Sequence, residues 1–295
     1  MKYAYYPGCA AEAIMKEAND TTIMVAHILG IELVDMKNAT CCGAGCLDEA
    51  NKELSYVINA RIFAIAEQMG LDILTICSTC LQTMAKINKE LKSDPELLER
   101  TNKVLREVGM EYKGGVKMTH LLWVLAKDYG LNNLRKKVKR PLNMLNIAGF
   151  YGCHTLRPGE ILGFEDPRNP QSLDLVISAL GGHPVEYRGK TRCCGFHTLL
   201  VNERASLKAG GKRLQEAKDQ GADCMVTPCP LCDISLDVYQ GEAEKLYKKK
   251  TQLPVFNLSQ LVALALGADV GDLKFKKHLV SPQSVVESVL AGQRS

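Results

Sequence analysis

The sequence predicts an α/β fold of two homologous domains related by duplication, each a short, mainly parallel sheet flanked by helices. Three observations predict it. A cysteine pattern is written twice at a nearly constant offset, short apolar runs lead into the cysteines, and a helical apolar period follows each vicinal pair.

The pattern comes first. In the first half Cys9 is followed by 31 residues, then Cys41 and Cys42, then 34 residues, then the CxxC of Cys77 and Cys80. In the second half Cys153 is followed by 39 residues, then Cys193 and Cys194, then again 34, then Cys229 and Cys232. Cys41 to Cys193 and Cys77 to Cys229 both span 152 positions, whereas Cys9 to Cys153 spans 144, so the difference is confined to the first loop. Flanking residues repeat too: "YYPGCAAE" resembles "FYGCHTLRP", "ATCCG" answers "TRCCG", and "VKMTHLLWVLAKDYG" answers "LPVFNLSQLVALALG". A long period of this kind indicates duplicated domains rather than a solenoid.

The elements follow in order. "KYAYYPGC" and "LNMLNIAGFYGC" read as buried strands ending at the leading cysteines. After the first CCG, Ile58, Ile62, Ile65 and Met69 recur at helical spacing up to Gly70, and the equivalent helix ends near Gly221. "LDILTI" and "CMVTP" are short strands running into CxxC, with another helix behind each. Alternating strands and helices place the cysteines at the carboxyl ends of parallel strands, where open α/β sheets carry their sites. The boundary is expected in the basic stretch Asn132 to Pro141, giving domains 1–135 and 141–268 and a C-terminal extension 269–295 whose "SVVESVLA" reads as a helix. Trp123, in the stripe "HLLWVLA", reads as core.

Composition narrows the function. With 295 residues, 46% of them hydrophobic, the chain is long enough for one large or two ordinary cores. The net charge of +4 is mild, and the basic runs Leu134 to Arg140 and Tyr247 to Lys250 lack interleaved aromatic residues, so nucleic-acid binding is not expected. No window has the roughly 18 apolar residues of a membrane span, and the opening lacks a signal-peptide pattern, so the expected location is cytoplasmic. In that compartment twelve cysteines suggest metal ligands or redox groups rather than disulfides. "GAG" at Gly43 to Gly45 and "AGGK" at Ala209 to Lys212 complete no nucleotide motif.

Five cysteines per half are matched, and Cys46 and Cys224 are not; these two read as small semi-buried residues. A zinc tetrahedron takes four ligands, so five overfill it, and a thioredoxin-like dithiol explains only the CxxC. An ordinary four-iron cubane also needs four thiolates, which leaves either a spare cysteine or a different cluster. The chain has no C-x2-C-x2-C-x3-C-P run, so it contains no ferredoxin module.

"CCGAGC" with "CSTC", and "CCGFH" with "CPLC", each behind a leading cysteine, resemble the duplicated CCG domains of the B subunit of heterodisulfide reductase from methanogenic archaea, from Tyr3 to about Ala268. The resemblance implies two non-cubane [4Fe-4S] clusters, one on Cys9, Cys41, Cys42, Cys77 and Cys80, the other on Cys153, Cys193, Cys194, Cys229 and Cys232. It implies reduction of the coenzyme M–coenzyme B disulfide (CoM-S-S-CoB) to two thiols between the halves. The implied partners are the ferredoxin-like C subunit and the flavoprotein A subunit of such a heterodisulfide reductase, often with a hydrogenase. CCG domains also serve in glycolate or lactate oxidation and in succinate dehydrogenases, and the alternatives are an electron-transfer or quinone-linked subunit of such an oxidoreductase or a structural zinc protein. For that substrate His154 and His197 are the expected proton donors, and Arg157, Arg188, Lys190 and Arg192 the expected anion-binding residues.

Overall fold

The structure is a computed structural model that describes residues 1–292, so the last three residues of the expected extension lie outside it. Among the described residues eight strands form two parallel sheets. The first holds β1 (Lys2–Tyr6), β2 (Glu32–Asp35), β3 (Ile73–Thr75) and β4 (Met118–His120) in the order β2-β1-β3-β4. The second holds β5 (Asn146–Gly149), β6 (His183–Pro184), β7 (Cys224–Thr227) and β8 (Val255–Asn257) in the equivalent order β6-β5-β7-β8. All pairings are parallel, with Ala4 beside Ile73 and Ile147 beside Cys224 in the central pairs. Parallel strands need long crossovers, and helices supply them on both faces. Burial on both faces explains why β3 and β7 are short runs without polar alternation.

The helices behind the vicinal pairs are Lys52–Gln68 and Glu203–Asp219. Each starts at an asparagine whose side-chain oxygen accepts a backbone N–H three residues on, Asn51 from Leu54 and Asn202 from Ala205, both at 3.0 Å. A cap of this kind contributes about 1 kcal/mol. The expected boundary falls on the helix Leu131–Lys137 and the turn after it, so the basic run there is a helix end.

The halves join as a pseudo-dimer. Helix Lys16–Leu29 of the first packs on helix Leu258–Ala265 of the second, with Thr21 Oγ1 2.7 Å from Ser259 Oγ. Reciprocally, helix Ser172–Ala179 packs on Leu121–Trp123 and its π-helical continuation Val124–Asp128. One apolar core therefore takes Val25 and Leu122 from one half and Val176 and Leu264 from the other. Helix Gln283–Ala291 buries Val285, Val286 and Val289 on this core.

Candidate metal centre

The ten matched cysteines gather beyond the carboxyl ends of the strands, on the loops there or, for Cys9, Cys80 and Cys232, in the first turn of the helix that follows. Cys77 and Cys229 cap the helices that follow β3 and β7, and an N-terminal helix end favours the thiolate. The leading cysteines need glycine before them. At Gly8 (φ +83°) a Cβ would stand 3.0 Å from Cys80 Sγ, and at Gly152 (φ +70°) 3.1 Å from Cys232 Sγ. The same close approach in both lobes shows that each leading loop is folded onto the second cysteine of its CxxC.

In each lobe the first cysteine of the vicinal pair is the readily ionised one. Cys41, 3.5 Å from Cys9 and holding the Gly43 N–H at 3.4 Å, is pushed down to about 2 by its interactions with Cys42 and Cys9 and by that N–H. Cys193 is pushed down to about 2 by Cys153, Cys194 and the Gly195 N–H at 3.3 Å. Their neighbours go the other way: the contact with Cys41 pushes Cys42 up to about 11, and the contact with Cys193 pushes Cys194 up to about 12. Sulfur contacts continue from Cys42 to Cys80 and Cys77, and from Cys194 to Cys232 and Cys229. The lobes come close at sulfur: the nearness of Cys229 raises Cys77, and that of Cys77 helps lower Cys229 after Cys232.

This donor set fits iron–sulfur clusters. All the cysteines are free thiols, six of the ten are buried, and Cys9, Cys41 and Cys193 open to the surface. Crowded buried thiols that raise one another's pKa need a positive centre before they can all ionise, and the Gly43 and Gly195 N–H groups are aimed at sulfur as cluster ligands require. Among the described residues no group of three or more His, Cys, Asp or Glu is arranged around a single ion.

The two expected proton donors come together, but on the opposite lobe's motif. His154 Nδ1 lies 3.0 Å and His197 Nε2 3.4 Å from the Thr79 hydroxyl, inside the first CxxC, with ring centroids 5.3 Å apart. His197 also covers Gly45 of the first CCG loop, where a Cβ would stand 2.6 Å from Nδ1. Burial, then the neighbouring His197 ring, holds His154 below the usual imidazole range. Beside them Thr155 donates to Ser78 Oγ at 2.6 Å. Sequence reasoning does not single out Thr79, although "CSTC" against "CPLC" sets two hydroxyls where the other lobe has none. It does not single out His120 either, at the end of β4; this residue is fully buried, and desolvation pushes its imidazole down to about 4 despite nearby Cys229. Thr79→Val, which keeps the shape and removes the hydroxyl, is expected to cost about 1 kcal/mol in urea unfolding; an unchanged midpoint would mean that the two imidazoles do not depend on it.

The expected anion-binding residues divide. The Lys190 ammonium is taken up by Asp174 at 2.9 Å and Glu186 at 2.6 Å, and its carbonyl receives the Tyr151 and Gly152 N–H groups, so it braces the Cys153 turn instead of facing a ligand. The Arg157 guanidinium donates to the Thr191 carbonyl, tying the Cys153 turn to the loop before Cys193. Arg188 and Arg192 are on that loop, and both are exposed. The unmatched cysteines are not both semi-buried as expected: Cys46 is exposed at the start of a one-turn helix, and Cys224 is fully buried in β7.

Two parallel lobes with matched thiol sets at one junction define an iron–sulfur protein of the oxidoreductase type, built by duplication. The chain belongs to the CCG cysteine-rich domain family, whose model matches residues 3–85 and again 147–237. It is 39% identical over 95% of its length to the 8-methylmenaquinol:fumarate reductase membrane anchor subunit of Wolinella succinogenes, covering 97% of that protein. It is 31% identical over 95% of its length to the B subunit of the ferredoxin/F(420)H(2)-dependent CoB-CoM heterodisulfide reductase of Methanosarcina acetivorans, covering 94% of it. The crystal structure of a hypothetical protein from Helicobacter pylori shares the fold, with a TM-score of 0.77 at 16% identity over 95% of this chain; this chain spans about half, 52%, of that one.

Proposed function

We propose that this chain is the electron-carrying iron–sulfur subunit of a quinol-linked reductase, with non-cubane four-iron clusters on Cys9, Cys41, Cys42, Cys77 and Cys80 and on Cys153, Cys193, Cys194, Cys229 and Cys232. The nearness of Cys77 to Cys229 carries this reading, because it brings the two thiol sets together across the lobe junction. Clusters bound there would supply one-electron steps at potentials tuned by hydrogen bonds to sulfur. The chain's own part is to hold charge and position. Gly43 and Gly195 donate to Cys41 and Cys193, and Thr79 holds the His154 and His197 imidazoles together at the junction. The Wolinella relative, at 39% identity, supports the quinol link.

A second reading is favoured by the completeness of both cysteine sets and by the 31% identical Methanosarcina relative: reduction of CoM-S-S-CoB, with the ferredoxin-like C subunit and the flavoprotein A subunit of a heterodisulfide reductase as partners. Among the described residues no helix is long and apolar enough to cross a membrane, so the quinol reading places the quinol site on a partner chain. The experiment is an assay of the complex purified without oxygen. Quinol-driven turnover, with no oxidation of reduced viologen by CoM-S-S-CoB, is expected; rapid viologen-driven reduction of that disulfide would replace the first reading with the second.

A further inference from the structure

One place behind the CxxC helices is covered in the second lobe and bare in the first. Strand register fixes the correspondence: His120 pairs with Thr75 as Asn257 pairs with Thr227, so Trp123 corresponds to Gln260. Counting from Cys77 and Cys229, Ala85 corresponds to Asp237, Asn88 to Gln240 and Lys92 to Glu244. Asn88 and Gln240 agree with this, since their amides donate to the Val116 and Leu253 carbonyls at 2.9 and 3.0 Å, each just ahead of its strand.

In the second lobe the chain's own residues 273–280 lie in that place. Gln260 donates to the Leu273 carbonyl at 3.1 Å and meets His278 Nε2 at 3.0 Å, and the Asp237 carboxylate accepts the Leu279 and Val280 N–H groups at 2.9 and 3.1 Å. Leu273 is fully buried and Phe275 packs edge-on against Phe256, ring centroids 5.5 Å apart. The segment is basic and is received by acids: Lys274 pairs with Asp20, and Lys277 with Glu17 at 3.1 Å.

The first lobe has instead an open cleft of about 460 Å³. Leu81, Ala85, Trp123 and Ile161 contribute apolar lining, and Trp123 Nε1 is buried without a partner. Lys89, Lys92 and Lys117 line it together with Glu160; Lys89 donates to the Glu160 carbonyl at 2.9 Å and Lys92 to the Val116 carbonyl at 2.7 Å, and none of the three lysines forms an ion pair among the described residues. This surface thus carries three lysines, Lys92 standing where the second lobe has Glu244, and lacks the strap. We propose that this cleft receives an extended acidic peptide segment of a partner chain, anchored by apolar side chains and lying as residues 273–280 lie in the second lobe. No cysteine lines the cleft, so the proposal is independent of which acceptor the chain serves.

Trp123 is the chain's sole tryptophan, so its emission reports on the cleft directly. The probe is a synthetic copy of residues 269–282 carrying Lys274→Glu, Lys276→Glu and Lys277→Glu, titrated into the anaerobically purified protein. A saturable emission shift is expected, weakened about tenfold by Lys89→Gln with Lys117→Gln and weakened further by salt. The unaltered basic peptide should give no saturable shift. Equal binding of both peptides, or indifference to the lysine substitutions, would overturn the proposal. So would saturation by decyl phosphate without any by the acidic peptide, which would make the cleft a small-molecule site.

Discussion

A Cys193→Ser chain is expected to retain about half of its iron, roughly four of eight atoms with matching sulfide. Cys46→Ser and Cys224→Ala should both keep the full complement. The contrast follows from placement. Cys193 interacts with Cys153 and Cys194 and holds the Gly195 N–H, so its loss removes a thiolate that its surroundings favour. Cys46 is exposed like Cys193 and sits on the first CCG loop, yet none of the cysteine contacts described above reaches it. Cys224 is enclosed by the apolar core of β7, where burial drives its thiol up and away from the thiolate a ligand needs. Full iron in Cys193→Ser would sink the ligand assignment, and iron loss in Cys46→Ser would move it. A companion variant tests the junction: Cys229→Ser should empty the second lobe and also alter the spectrum of the first, because Cys229 lies near enough to Cys77 to raise its thiol.

How much of this is legible in the sequence depends on what kind of signal each feature leaves. The duplication, the strands leading into cysteine and the helix ending near Gly70 are local, and periodicity records them. Strand β6 has only two residues and β2 is half exposed, too little pattern for a sequence to announce, so two of the four strands in each sheet pass unmarked. Contacts across the lobes leave no period at all. His154 and His197 stand out as polar neighbours of cysteine, but their shared partner Thr79 lies 75 and 118 positions away. Lys190 misleads for the opposite reason. A basic residue near a vicinal pair looks like a ligand for anions until Asp174 and Glu186, distant and nearby in sequence, are both found holding it. The extension looks separate because it lies outside the repeat, whereas it fills a place that the repeat itself creates.

Gly195→Ala should be among the most damaging single-methyl changes in the chain, costing about 3 kcal/mol or more and emptying the second lobe of iron. Two effects add. The backbone there has φ +96°, which an alanine tolerates at a cost of about 1 to 2 kcal/mol. The new Cβ would also stand 2.7 Å from the Ser206 carbonyl oxygen and 3.0 Å from its Cα, and these belong to the helix Glu203–Asp219, not to a side chain that could swing away. Relief would require moving residue 195, which carries the N–H held by Cys193 and the carbonyl that accepts Ser206 Oγ at 2.9 Å. Gly221 separates the two effects. Its φ is +81°, but a Cβ there meets nothing within 4 Å, so Gly221→Ala should show only the conformational cost and keep its iron. Urea midpoints and iron content of the two variants, measured side by side, decide the matter. If they match, the CCG loop yields to a methyl group and its fit against the helix is not what holds Cys193 in place; if Gly195→Ala alone loses iron, the glycine of the vicinal-pair motif is there to bring its N–H to sulfur beneath a helix that leaves no room for a side chain.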